Sequence, residues 1–191
     1  MRSRRRSATG ARTSSRLTGF DVPLDGAAAV RHCHEMSSWS DFEAAAPELA
    51  REVRERLDAH THKTLATVRS DGSPRISGTE TTFRDGELWI GSMWKARKAL
   101  DLRRDPRFAL HSGSADPPAW KGDAKLAGIA EEVTDPDRVQ EMNGEAAPSG
   151  ESHLFRLDLR EVSTVGLNDA RNAIVVTVWT PDRGVRTIER T

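Results

Sequence analysis

Between Glu87 and Pro106 the apolar pattern of the chain changes period without a pause. Glu87-Leu88-Trp89-Ile90 closes an alternating run, the two-residue period of a strand with one buried face. Further on, Leu100 and Leu102 mark a short amphipathic helix, which must stop before Asp105-Pro106 because a residue ahead of proline avoids the helical conformation. A strand therefore runs directly into a helix. At that junction stand Gly91, Ser92 and the cations Lys95, Arg97 and Lys98. A helix start adds free backbone N–H groups and the positive end of its dipole, so the local expectation is a site for an anion of the phosphate type.

The chain has 191 residues, 36% hydrophobic and 30% charged, which is one domain's length and enough to bury a core. No apolar run approaches the roughly 20 residues that span a membrane, so no membrane partner is expected. The single Cys33 can neither form an internal disulfide nor head a zinc site. With no secretory signal either, the expected compartment is the cytoplasm. The neutral total hides an asymmetry: residues 1–35 carry seven arginines against Asp21, Asp25 and Glu35, a net +4, and the remainder carries −4. A folded part that is mildly acidic argues against a nucleic-acid partner.

Residues 1–38 read as a leader without fold, rich in Arg, Ser, Gly and Ala and lacking periodicity. A second reading places the true start at Met36. The folded domain is expected over 39–191.

In order, Asp41 or Ser40 can cap a helix through Glu43 to Ala59, reset near Pro47, with Leu49, Val53 and Leu57 as its apolar stripe. His60-Thr61-His62 has no further ligands nearby and reads as a loop, so no metal is expected. Strands are expected at 64–69, 74–83 and 87–92, joined by Ser70-Asp71-Gly72-Ser73 and Arg84-Asp85-Gly86 as an antiparallel meander. In the second of these, Arg75, Ser77, Thr79 and Thr81 share one face and Ile76, Gly78, Glu80 and Thr82 the other. So polar a strand is either an exposed edge or the wall of a polar site, where Gly78 would admit a planar ligand. Strands at 107–112, 123–134, 154–159, 162–167, 173–180 and 185–188 follow, with a short helix opened by Asp135-Pro136 and a loop at 143–151. Many strands linked by hairpins predict a small closed barrel, mainly β with peripheral helices.

This order of elements, together with the strand Arg75-Ile76-Ser77-Gly78-Thr79-Glu80, the strand end Gly91-Ser92, and Arg97-Lys98 opening a helix that closes at Asp105-Pro106-Arg107, resembles the pyridoxamine-phosphate-oxidase-like family of FMN-binding split barrels. The nearer resemblance is to its short, mostly uncharacterised members from high-GC bacteria. It implies a six-stranded antiparallel split β-barrel, and a homodimer with two FMN sites at the subunit interface. The phosphate would lie on Arg97 and Lys98, assisted by Ser92 and Arg75, and the ring would rest on Ile76, Ser77, Gly78, Thr79 and Glu80. That makes the polar strand a wall rather than an edge. It also implies a contribution from the partner chain, for which Trp120, Lys121, Asp123 and Trp179 are candidates; for Trp179 burial is the favoured reading.

The carboxyl end, Gly184-Val185-Arg186-Thr187-Ile188-Glu189-Arg190-Thr191, lacks the Arg- and His-containing segment with which pyridoxamine phosphate oxidases hold their substrate. The resemblance therefore implies an oxidoreductase acting on some other small organic molecule, the flavin supplying the redox chemistry. Two alternatives use the same barrel. One is a reductase using the deazaflavin coenzyme F-420, whose acidic tail could use Arg103 and Arg104. The other is a non-enzymatic binder of flavin or haem, with His111 as a conceivable axial ligand.

Overall fold

The computed structural model describes residues 37–144 and 152–191. The expected leader, except for Ser37 and Ser38, and residues 145–151 of the expected loop lie outside them. The elements run α1 (Trp39–Ala45), α2 (Pro47–Asp58), β1 (Lys63–Val68), β2 (Pro74–Thr79), β3 (Thr82–Arg84), β4 (Glu87–Met93), α3 (Arg97–Arg104), β5 (Arg107–His111), β6 (Asp123–Val133), α4 (Pro136–Asn143), β7 (Ser152–Leu167), β8 (Ile174–Thr180) and β9 (Gly184–Arg190). All strand pairs are antiparallel.

Six strands in the order β2-β1-β5-β6-β7-β4 form the barrel path; β3 continues it beyond β4, and β8 and β9 extend from β7. The sheet does not close. β2 and β4 approach one another without pairing, which is the split, and the expectation of a closed barrel is corrected. The meander fails for the same reason. β1 and β2 pair as expected, but the predicted strand 74–83 breaks at Glu80-Thr81, and its second part, β3, pairs with β4 across the tight Asp85-Gly86 turn. Both turn residues have positive φ, 54° and 74°, the geometry that fits a two-residue hairpin loop to the twist of its strands. The chain thus crosses from one side of the split to the other between Thr79 and Thr82. It follows that β2 is an edge strand of the sheet.

The strand that holds the two sides together is β7. Its first part pairs with β4, its last part with β8, and nearly its whole length with β6. A bulge after Leu159 leaves Arg160 without a partner on β6, and Arg160 forks onto Asp158 Oδ2 at 2.7 and 3.1 Å. Opposite the bulge stands Gly128, where an added Cβ would lie 1.8 Å from the Asp158 carbonyl oxygen. Only glycine lets the backbones approach so closely.

The inward face of the barrel collects Leu65, Leu88, Ile90, Phe108, Leu110, Leu126, Phe155 and Leu157, all buried in one cluster with Leu49, Val53 and Leu57 of α2 and Ala99 and Leu102 of α3. The single helix expected over 43–59 is two, because Pro47 starts α2 and the residue before it cannot be helical. The first, α1, drives Trp39 and Phe42 into the core, with Phe42 4.8 Å from Trp179 and Trp39 4.5 Å from Phe83 between ring centres. Trp179 is 3% exposed, as the burial reading expected.

The cap of α1 is Ser38 rather than Ser40 or Asp41. Its hydroxyl accepts from the Asp41 N–H and the Asp41 carboxylate accepts from the Ser38 N–H, a reciprocal box. Ser38→Ala should lower stability by about 1 kcal/mol, measurable as a shifted denaturant midpoint with unchanged slope. No described helix is long and apolar enough to cross a membrane.

Candidate functional site

The strand-to-helix junction forms as the change of period requires. β4 ends at Met93, and α3 begins at Arg97 after a turn in which Lys95 has φ +56°. That left-handed conformation costs a residue with a Cβ about 1–2 kcal/mol. The residue preceding the helix, Ala96, offers no side-chain cap, and the first turn holds no acidic residue. The backbone N–H groups of Arg97 and Lys98 meet no acceptor among the described residues.

Arg97 is exposed, and its guanidinium has no hydrogen bond or ion pair among the described residues. Two cations at a helix start oppose the dipole unless an anion is bound there. Ser92 faces the same side as Ile90, and its Oγ is buried without a partner. A buried hydroxyl left unpaired costs about 1–3 kcal/mol.

Lys98 joins the two expected parts of the site. Its Nζ donates to the Gly78 carbonyl oxygen at 2.7 Å, so the start of α3 lies against the free edge of β2. Half-burial pushes the Lys98 amine below the ordinary lysine range, and the Glu80 carboxylate opposes that shift. A lysine on an unpaired strand edge also blocks pairing with another strand. The outward face of β2 exposes Ile76 fully three quarters and leaves Gly78 open, with nothing within 4 Å of a Cβ placed there. Ser77 and Thr79 point inward, Thr79 being buried. Glu80 lies just beyond the strand, 3.7 Å from His62 Nδ1.

Arg75 is engaged within the fold through one of its donors. Its Nε donates to Asp101 Oδ2 at 2.5 Å, and Thr67 Oγ1 donates to the same oxygen at 3.0 Å. Arg104 lies 3.5 Å from Oδ1. Burial pushes the Asp101 carboxyl up, but the hydrogen bonds from Arg75 and Thr67 and the nearby arginine charges outweigh it and hold the group below the ordinary carboxylate range. Asp101 therefore ties α3 to β1 and β2. Sequence reading missed it, since one acid on a short helix resembles any solvated position.

His153 and Glu132 were missed as well. His153 stands opposite Ser92 in the β4–β7 register, its side chain 1% exposed. It stacks on Trp94 at 4.9 Å between ring centres. The available signal was parity, because His153, Phe155, Leu157 and Leu159 share one face of an alternating run.

Trp120 and Asp123 do come together, the indole Nε1 donating to Asp123 Oδ1 at 3.1 Å, and Asp123 Oδ2 lies 4.0 Å from His111 Nε2. They are remote from Lys98. The register runs Gly78–Thr64–His111–Lys125 across β2, β1, β5 and β6, so three strand spacings, about 14 Å, separate β2 from β6. Gly91 is exposed near the end of β4, and a Cβ there would meet Asn143 Oδ1 at 2.8 Å. Arg103 and Arg104 serve the fold, pairing with Glu132 and with Asp101. Lys95 is exposed, its Nζ 5.9 Å from the Trp94 ring. Among the described residues no three of His, Cys, Asp and Glu gather into a group that could hold a metal.

Comparison with known proteins places this geometry. No curated protein matches the sequence. Among solved structures, a pyridoxamine 5'-phosphate oxidase-related, FMN binding protein of Nostoc punctiforme superposes with a TM-score of 0.54 at 12% identity, covering 74% of this chain and 94% of that one. A heme binding protein of Mycobacterium smegmatis gives 0.51 at 17% identity over 75% and 88%. A conserved hypothetical protein of Mycobacterium tuberculosis gives 0.50 at 23% identity over 60% and 82%. At these identities the likeness shows the fold. The sequence profile of the pyridoxamine 5'-phosphate oxidase family matches residues 49–166, from α2 to the end of β7, and the chain belongs to that family.

Proposed function

We propose that the chain binds FMN and is a flavin-dependent oxidoreductase acting on a small organic molecule. The observation that carries this reading is the uncapped start of α3. Two free N–H groups and an unpartnered guanidinium on Arg97 stand at this one helix start, and a phosphate monoester supplies the acceptors they lack; on the strand that leads into it the buried Ser92 hydroxyl is also unpaired. Arg97 would fork onto the phosphate while Lys98 adds charge beside it. The open outer surface of Ile76 and Gly78, joined to that position through Lys98, would carry the ring. A bound flavin supplies hydride or electron transfer, and this chain's residues hold and orient it. Arg75 gives its Nε to Asp101 and would reach the phosphate only through its remaining guanidinium donors.

The same reading makes the working unit a homodimer with its cofactors between subunits. Trp120 and Asp123 lie too far from Gly78 in one chain to meet a ring placed there, so they would serve the site of a second copy.

Purified protein titrated with FMN, with F-420 and with haemin separates the three cofactor readings by absorption spectrum. FMN is expected to bind with a perturbed flavin band, and light scattering is expected to give twice the chain mass. Uptake of haemin or F-420 but not FMN would overturn the assignment.

A further inference from the structure

We infer that His153 is a positioning residue for the anion site: it holds Lys95 in the left-handed conformation that turns β4 into α3, and so aims Arg97 and the free N–H groups of α3. The inference rests on the FMN reading for its ligand.

The Lys95 N–H donates to His153 Nε2 at 3.3 Å, so Nε2 carries the lone pair and Nδ1 the proton. Nδ1 then donates to Glu132 Oε1 at 2.6 Å. Glu132 Oε2 forms an ion pair with Arg103 Nε at 2.9 Å, and Arg103 belongs to the last turn of α3. One buried histidine and one carboxylate on β7 and β6 thus bind the approach to α3 and its far end together. The ring has no freedom to leave: it is 1% exposed and stacked on Trp94, with Phe155 at 6.2 Å on its own strand. A strained residue persists only where its surroundings over-determine it, and Lys95 receives that constraint from His153. Ser92 shares the face of His153 directly across the strand pair.

The test uses the full chain. His153→Leu keeps bulk and removes the acceptor, so FMN affinity should fall about tenfold, the worth of one hydrogen bond at about 1.4 kcal/mol. His153→Gln, whose amide oxygen can reach the Lys95 N–H, should stay within about threefold of wild type. Lys95→Gly removes the backbone cost, so the double variant His153→Leu with Lys95→Gly should bind nearly as well as Lys95→Gly alone. Independently of flavin, hydrogen exchange at the Lys95 amide should speed up about tenfold in His153→Leu and little in His153→Gln.

Equal losses in Leu and Gln, no recovery with Lys95→Gly, or an unchanged Lys95 amide would overturn the inference. If His153→Leu does not fold, His153→Asn replaces it, too short to reach Lys95 while Gln reaches. A wild-type chain that takes up no FMN sinks the cofactor reading, whereas exchange at Lys95 still decides what His153 does.

Discussion

Replacing Arg97 and Lys98 together with alanine is expected to abolish flavin retention, weakening FMN binding by roughly 10²–10⁴-fold, because each charge-assisted contact to a phosphate contributes about 1.5–3 kcal/mol. Stability should move the other way or not at all. Arg97 has no partner among the described residues, and Lys98 holds only an edge carbonyl that water can satisfy. Removing two cations from a helix start relieves a dipole conflict of about 0.3–1 kcal/mol each. The measurement is therefore paired: fluorescence titration with FMN and a thermal melt of the same apo protein. Loss of binding with an equal or higher Tm identifies the pair as ligand contacts, and undiminished binding rejects the site.

The second large effect is structural. Asp101→Ala strands the Arg75 guanidinium, which is 20% exposed on its side chain against 6% for Asp101, and should cost about 3 kcal/mol, the lower end for breaking a buried pair. For a folded part of this size that is a fall in Tm of roughly 10 °C. The pH dependence has a definite sign. The Asp101 carboxyl is held below its ordinary range, so its contribution is complete at pH values above that range and disappears as pH falls through its folded value. The stability gap between wild type and Asp101→Asn should be widest near neutrality and close in strong acid. A constant gap across that interval would show that Asp101 acts through packing alone.

Most elements were legible because they carry local signals. Asp135-Pro136 opens α4, Asp85-Gly86 closes a hairpin and Pro106 ends α3, each enforced by the chain's own dihedral limits. The break at Glu80-Thr81 was not legible. Thr79, Thr81 and Thr82 favour extended backbone whether or not the strand keeps its partner, and the change of partner is decided by β7, far along the chain. The site was readable on the same terms. The strand-to-helix junction of Ser92, Arg97 and Lys98 forms where the local pattern put it, whereas the bond of Lys98 to Gly78, that of Arg75 to Asp101 and the His153–Glu132 pair carry no local signal. All three depend on which strands face α3, and nothing in the spacing of residues states that.

The place of β7 in the sheet also orders events in time. Synthesis delivers β1, β2 and α3 early, and β1 with β2 can pair at once as neighbours in sequence. β4 has only the short β3 beside it until residues 152–156 emerge. Pairings between distant segments form late because their loop must first be closed, and unpaired strands in the interim invite association with other chains. His153 arrives on that same late strand. The Lys95 N–H therefore has no His153 acceptor until β7 has been made, and a ribosome-bound chain shorter than β7 has the cations of the proposed anion site without that contact.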